Sequence, residues 1–550
     1  MNYFSRATNL ERLQNEEFDL LVIGGGITGA GIARDAVMRG LRVALVEARD
    51  FSSGTSSKSS KMLHGGIRYL EQFHLALVFE ASRERRLHSE FLSPHLAHPV
   101  PYLIPIYPWS PHGRLAVIAG VYLYDTLALF RNHGTRVLSR EKTLQEEPRL
   151  EGEKLKGSVV YYDAVMDDAR LNLENVRSAA FHGAATVNYV AVRGFEKDGT
   201  GKIFGVWIRD VSNERATDLL IKTKVVVNAT GPWCDYIRRL DQPHVENRLR
   251  PTKGTHIILP KEKLGKKHAF VLTAKKDDRV FFSVPWYERT LVGTTDTDYN
   301  PTRDGALHDL HANQNDIDYL MEGVKRTFPH ASVGVEDIQS SFAGLRPLVS
   351  KGKGADPSAI SREHLIWQEN SGLWNIAGGK YTTYRTMAAQ LVDQVIKSFQ
   401  GDFAKVNTKK LRQCFTDKEA IVLLEEKANQ KNAVRLMNDY ALSLGADTIL
   451  HLQKRYGARW QLVADIAMEN KELAEKIIGS EPDILAEIAY AKEYEMAVYF
   501  EDVLRRRTML ALKAPLLQNM ERLERAAKIF SEVEKITPEK VKEWQGLHFE

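Results

Sequence analysis

Residues Phe18 to Ile23 (FDLLVI) form a short apolar run that reads as a buried strand and stops at Gly24-Gly25-Gly26. From Ile27 to Met38 small and apolar residues recur at helical spacing, and Arg42 to Glu47 (RVALVE) reads as a second strand. This βαβ unit constrains the chain more than any other feature. The pattern Gly24-x-Gly26-x-x-Gly29 follows a strand and opens a helix, the context in which a glycine triad carries meaning. Gly24 permits the tight turn, Gly26 lets a pyrophosphate approach the backbone, and Gly29 lets helix and strand pack closely. The phosphates then rest on the unpaired N–H groups at the positive end of the helix. Glu47 ends the second strand eighteen residues after Gly29, where a carboxylate can accept from both ribose hydroxyls of a dinucleotide.

The triad alone does not separate NAD from FAD. An NAD dehydrogenase would continue with another αβ repeat, whereas Thr55 to Tyr69 (TSSKSSKMLHGGIRY) is dense in hydroxyls, then glycines, then two polar side chains. Such a loop suits an extended dinucleotide whose phosphates and flavin run along the protein. A flexible Ser-rich linker is the plainer reading, but Lys61, Met62, Leu63 and His64 embedded in it conflict with that. Two distant segments belong with it. Val225 to Asp235 (VVVNATGPWCD) reads as a strand ending near a cofactor, and Leu373 to Arg385 (LWNIAGGKYTTYR) as a strand, a Gly-Gly turn and a helix start. A helix N-terminus aimed at a flavin would stabilise negative charge on the reduced ring.

At 550 residues the chain is too long for one core. Only five of the 37 glycines and three of the nineteen prolines lie beyond Phe399, and helical periodicity runs from Ile484 to Leu510, so the last 150 residues read as a separate helical domain. The expected class is α/β plus α. A discontinuous Rossmann-like FAD-binding domain spans 18–100, 160–240 and 340–398, β-sheet-containing substrate segments span 101–159 and 241–339, and an all-helical domain spans 405–550.

A net charge of +5 at 27% charged residues argues for an ordinary solvated surface and against a nucleic-acid partner. The basic run Arg505-Arg506-Arg507 reads as a solvated helix face, without the interleaved aromatics of a single-strand groove. Two distant cysteines, Cys234 and Cys414, fit a reducing cytoplasmic setting. No apolar run near Met1 suits a signal peptide, and the most apolar stretch, Leu115 to Phe130, is interrupted by Asp125 and reads as a buried helix.

With these motifs in view, the chain resembles the FAD-dependent glycerol-3-phosphate dehydrogenases, within the glycine-oxidase and D-amino-acid-oxidase-like superfamily. The resemblance is carried by GGGITGAGIARDA, GTSSKSSKMLHGGIRYLE, DDARL, NATGPW, KGTHI, VGTTDT, AGLRPL, ISREH and AGGKYTTYR, in the family's order over residues 18 to 390. It implies that Gly24, Gly26, Gly29 and Glu47 hold the adenosine half of FAD. Thr55, Ser56, Ser57, Lys61, His64 and Gly65 would line the rest with Val192, Ala229 and Gly231, and Lys380 and Thr382 would lie near the flavin. The implied substrate side is Arg68, Tyr69, His256, Thr294, Arg346, Arg362 and Lys380, with His256, Arg346 and Lys380 as the catalytic set and no metal. It further implies sn-glycerol 3-phosphate as substrate, a membrane quinone as acceptor, peripheral lipid contact at the cytoplasmic side, and a homodimer as a permitted assembly.

Residue chemistry agrees. A phosphorylated polyol needs guanidinium forks, which Arg346 and Arg362 offer, and oxidising a secondary alcohol needs a proton acceptor, for which His256 is preferred. Asp167-Asp168-Ala169-Arg170 reads as an architectural element, since no third metal ligand lies nearby in sequence. Three alternatives remain open: an oxidase using oxygen, a flavin-dependent RNA-modifying protein, and a non-catalytic flavoprotein.

Overall fold

The computed structural model describes residues 3–71, 73–265, 267–308, 310–350, 364–399, 440–531 and 535–547. The Phe18–Ile23 strand is buried along its whole length because it lies inside a parallel sheet covered on both faces. Trp374–Gly378, Leu219–Asn228, Phe18–Ile23, Val43–Val46 and Ala185–Val187 lie side by side in that order, all parallel. Successive residues face opposite ways. Leu20 and Val22 join a core with Ala33, Ala36 and Leu391, while Leu21 and Ile23 join one with Val206 and Ile208. Helix Ile27–Met38 is held between Asp168–Phe181 and Tyr384–Ser398. Segments from both ends of a long stretch of chain thus build one sheet, as a discontinuous FAD-binding fold requires.

A second, largely antiparallel sheet, of ten strands among the described residues, contains Met62–Leu63, Ala97–Pro105, Ser158–Met166, Thr252–Pro260, Val280–Trp286, Arg289–Gly293 and Ser340–Arg346. Two strands that the sequence grouped with the cofactor segments pair here instead. Ser158–Met166 pairs with Ala97–Pro105, and Ser340–Arg346 pairs with Thr252–Pro260 along its full length, from Ser340 opposite Ile258 to Arg346 opposite Thr252. Strand partners are set by tertiary packing, which a local apolar pattern does not encode. Because Met62–Leu63 also belongs to this sheet, the hydroxyl-rich loop before it crosses the seam between the two sheets.

The C-terminal part is helical where described, including Ala446–Tyr456, Trp460–Glu469, Leu485–Tyr494, Met520–Phe530 and Pro538–Gln545. The expected boundary near residues 400–410, and Cys414, lie outside the described residues. The expected continuous helix from Ile484 to Leu510 breaks after Tyr494. Glu495 turns inward to Arg170 and Arg177, Met496 takes a positive φ of 51°, and Asp502 accepts from the N–H groups of Val498 and Tyr499 to start the next turn.

Two surface expectations are corrected. Arg506 and Arg507 are buried. Asp50 receives Arg506 Nε at 2.5 Å and Arg507 Nη1 at 2.7 Å, so the basic run ties the helical part to the cofactor-binding segment just past Glu47. Of the three, Arg505 alone is partly exposed, and it pairs with Glu501 at 2.8 Å. The Leu115–Phe130 stretch, expected to be buried, forms most of helix Arg114–Leu127 and its following turn, with only Val121, Tyr124 and Asp125 buried among the helix's residues. Leu115 is 83% exposed and Phe130 69%. Asp125 interrupts the run because it points inward, accepting from Asn132 at 2.6 Å.

Candidate active site

An elongated cavity of about 530 Å³ runs along the seam between the two sheets. One end is built by the βαβ unit. Gly24 has a φ of +110°, and a Cβ on Gly29 would sit 1.9 Å from the Gly24 carbonyl oxygen, so both must be glycine for the helix to approach its strand. Ser56 Oγ accepts from the Ile27 N–H at 2.8 Å and thereby fixes the hydroxyl loop against the helix N-terminus. Glu47 accepts from the Gly25 N–H at 2.7 Å and the Arg49 N–H at 2.9 Å. Burial pushes its carboxyl above the usual range, against the lowering effect of those two N–H groups. Val192, Ala229 and Gly231 line the same end, with Thr28, which the sequence reading did not select.

The loop's remaining residues divide. Thr55 and His64 line the cavity, Thr55 Oγ1 donating to the Leu345 carbonyl at 2.7 Å and the His64 N–H donating to Thr382 Oγ1 at 3.3 Å. Lys61, expected to touch the cofactor, turns away. It is fully buried, its Nζ 2.6 Å from both Asp168 Oδ1 and the Ser57 carbonyl, with the Phe342 ring 5.1 Å away. A lysine taken from water needs a counter-charge, and Asp168 supplies it. The DDARL segment is therefore architectural: Asp167 caps helix Asp168–Phe181 and Asp168 anchors the loop. Ser57 and Gly65 support the loop from behind, Gly65 donating its N–H to the Tyr124 hydroxyl at 2.8 Å.

The other end is cationic. Strand Ser340–Arg346 delivers Arg346 at its last residue, because full pairing with Thr252–Pro260 carries the strand that far. Arg346 Nη2 donates to Thr294 Oγ1 at 3.0 Å and the Thr295 carbonyl at 2.9 Å, and Nη1 to Asp296 Oδ1 at 3.1 Å. A Cβ on Gly254 would lie 2.5 Å from Arg346 Nη2, so that glycine makes room for the fork. His256 stacks on Phe342 at 4.8 Å, and its Nε2 hydrogen-bonds Ser60 Oγ at 2.9 Å. Burial, with Arg346 and Lys61 nearby, drives its pKa well below 6.5, so the imidazole is neutral. Its Nδ1 has no hydrogen-bond partner among the described residues. The Gly378-Gly379 turn, both at φ +80°, presents Lys380, whose Nζ stands 3.4 Å over the centroid of the Tyr69 ring. Arg68, Thr294 and Thr382 line the same cavity. Arg362 lies outside the described residues. Sequence reasoning missed Ser60 and Asp296. Ser60 is one hydroxyl among many, and Asp296 stands inside VGTTDT, where its acid was the available signal.

Glycines that admit a pyrophosphate, a carboxylate at the second strand's end, a helix N-terminus and a long cavity fit an FAD. Comparison with known proteins decides the family. A family model described as FAD dependent oxidoreductase matches residues 19–392. The chain belongs to the FAD-dependent oxidoreductases. A second model, described as the C-terminal domain of alpha-glycerophosphate oxidase, matches residues 377–541. The chain is 38% identical over 518 residues to an aerobic glycerol-3-phosphate dehydrogenase of Staphylococcus aureus strain USA300, covering 92% of this chain and 89% of that one. Among solved structures it is similar to the glycerol-3-phosphate dehydrogenase of Bacillus halodurans complexed with FAD, with a TM-score of 0.75, 32% identity, and coverage of 99% and 96%. Glycine oxidase of Bacillus cereus, at 19% identity, TM-score 0.52 and coverage of 70% and 96%, shares the fold.

Proposed function

We propose that this oxidoreductase converts sn-glycerol 3-phosphate to dihydroxyacetone phosphate and passes the electrons to a membrane quinone. The observation carrying the reading is that Arg346, Lys380 and His256 line one cavity with the FAD-binding glycines. Relatives named for glycerol-3-phosphate oxidation, similar over nearly the whole chain, support it. Bound FAD supplies the acceptor for the hydride on the alcohol carbon. Arg346, with Arg68 also in the lining, binds the phosphate; a guanidinium fork matches phosphate oxygens as an ammonium does not. His256 receives or orients the hydroxyl proton, being uncharged and linked to Ser60. Lys380 adds positive charge where the product carbonyl forms.

Among the described residues no helix is long and apolar enough to cross a membrane. Peripheral lipid contact is supported by the exposed apolar side of helix Arg114–Leu127, where Leu115, Tyr122 and Leu123 face solvent beside Leu129 and Phe130. Arg114 and Arg131, at the two ends of this stretch, are exposed and suit anionic headgroups.

The match to an alpha-glycerophosphate oxidase domain favours a second reading, in which oxygen takes the electrons. One assay separates these: turnover with a dye acceptor on glycerol 3-phosphate, glycerol, lactate and an amino acid, with peroxide measured in air. Selective oxidation of glycerol 3-phosphate without stoichiometric peroxide is expected. Preference for an amino acid would overturn the substrate, and stoichiometric peroxide the acceptor.

A further inference from the structure

Asp296 is an acid in a site read as taking a phosphate. Its Oδ1 accepts from Arg346 Nη1 at 3.1 Å. Its Oδ2 lies 3.7 Å from Arg279 Nη1, which also donates to the Asp296 backbone carbonyl at 3.0 Å. Arg279 is steadied in turn by Asp277 at 3.4 Å, and Asp277 accepts from the Tyr319 hydroxyl at 2.9 Å. The two arginines differ in where they sit. Arg346 faces the inner cavity, whereas Arg279, Thr295 and Asp296 line both that cavity and a broad outer groove of about 1710 Å³. One carboxylate therefore stands in the wall between Arg346 of the inner cavity and Arg279, which borders both spaces.

The chemistry of that position is a competition. A carboxylate on a guanidinium uses the same donors that a phosphate uses. An arriving dianion therefore meets a like charge already on Arg346, and the pair cannot both stay without repulsion. Arg279, which lines both spaces, offers Asp296 a second partner toward the outer groove.

Resting on the phosphate reading of Arg346, we propose that Asp296 is a built-in placeholder for the substrate phosphate. With the site free of substrate it holds the Arg346 fork in position. As phosphate binds, it shifts its pairing to Arg279; as phosphorylated product leaves, it returns and displaces it. Asp296 is thus a positioning residue that keeps the site from holding inorganic phosphate or product too tightly.

The test compares flavin-replete wild type with Asp296→Asn, which keeps the shape and an acceptor oxygen, and with Arg279→Gln. Binding of inorganic phosphate is measured by calorimetry and as inhibition of glycerol 3-phosphate oxidation. Asp296→Asn should bind phosphate about 10-fold tighter, the size of one charge-assisted contact no longer opposed. KM should fall with it, and kcat should fall because product lingers. Arg279→Gln should act oppositely, weakening phosphate because the carboxylate stays on Arg346. If Asp296→Asn binds phosphate equally or more weakly, Asp296 only orients Arg346 and the proposal is overturned. Should that variant shed its flavin, Arg279→Gln decides alone, and unchanged or tighter phosphate binding overturns the idea. A wild type that binds phosphate but ignores glycerol 3-phosphate would sink the substrate reading while leaving the calorimetric test of Asp296 intact.

Discussion

Arg507 offers a quantitative test of how the helical C-terminal part supports the cofactor segment. Its guanidinium is 1% exposed, with Nη1 2.7 Å and Nη2 2.9 Å from the two oxygens of a fully buried Asp50, and Nη2 also reaches the Glu495 carbonyl at 2.8 Å. Asp50 in turn receives Arg506 Nε at 2.5 Å and Asn188 Nδ2 at 3.0 Å. Burial alone would raise the Asp50 carboxyl, but Arg507 and Arg506 hold it below 3.8. Removing one partner of a buried pair leaves an uncompensated charge and costs about 3–5 kcal/mol, a large part of a typical folding free energy of about 5–15 kcal/mol. Asp50→Asn leaves two buried arginines facing each other and should show the full effect. At roughly 2 °C per kcal/mol the thermal midpoint falls by about 6–10 °C. Arg507→Met, which leaves Arg506 on Asp50, should fall toward the lower end, and the double variant should recover part of the loss. The assay is thermal unfolding followed by circular dichroism and by flavin fluorescence, with flavin release at the same lowered midpoint. The contribution should persist above pH 3.8 and vanish as acid drops through the depressed value. If Arg507→Met shifts stability by under about 0.5 kcal/mol, as surface changes do, the arginine is solvated and the reasoning fails.

Three further outcomes are expected. Arg346→Ala should lose about 10- to 150-fold in kcat/KM for glycerol 3-phosphate, with Arg346→Lys intermediate and flavin retained; an unchanged preference over glycerol contradicts the phosphate role. His88, pushed down to about 3 by burial with Arg385 and Arg34 nearby, and His256, also depressed by burial, are neutral in the fold, while the unfolded chain takes protons near 6.5. Stability should therefore fall as pH drops below about 6.5 toward 3, read from urea midpoints, and a midpoint flat across that window would refute it. Leu115→Glu with Phe130→Glu should reduce co-flotation with phosphatidylglycerol vesicles while leaving dye-linked turnover unchanged; undiminished flotation assigns lipid contact elsewhere.

The cofactor half was legible because its signal is local. Gly24, Gly26, Gly29 and Glu47 sit in one contiguous βαβ unit, and the steric need for glycine at 24 and 29 follows from spacing alone. Lys61 was placed along the cofactor because a lysine in a phosphate-facing loop reads as a ligand until its buried partner, Asp168, 107 residues away, is known. The same blindness to distant partners turned Arg506 and Arg507 into a surface face, since Asp50 lies 456 and 457 residues earlier. Leu115 to Phe130 failed for the opposite reason: apolarity predicts burial, yet exposed apolar surface is the signature of a contact outside the chain. Arg346 was found by motif, but its mount is a paired strand end, a fact set by the register with Thr252–Pro260.

Anaerobic mixing of flavin-loaded protein with sn-glycerol 3-phosphate, followed by loss of the yellow oxidised-flavin absorbance, tests the central claim most directly. The account predicts rapid bleaching by glycerol 3-phosphate, at least about 10-fold more efficient than by unphosphorylated glycerol because one charge-assisted phosphate contact contributes that much. Flavin that stays yellow with glycerol 3-phosphate, or bleaches equally with glycerol, would contradict it.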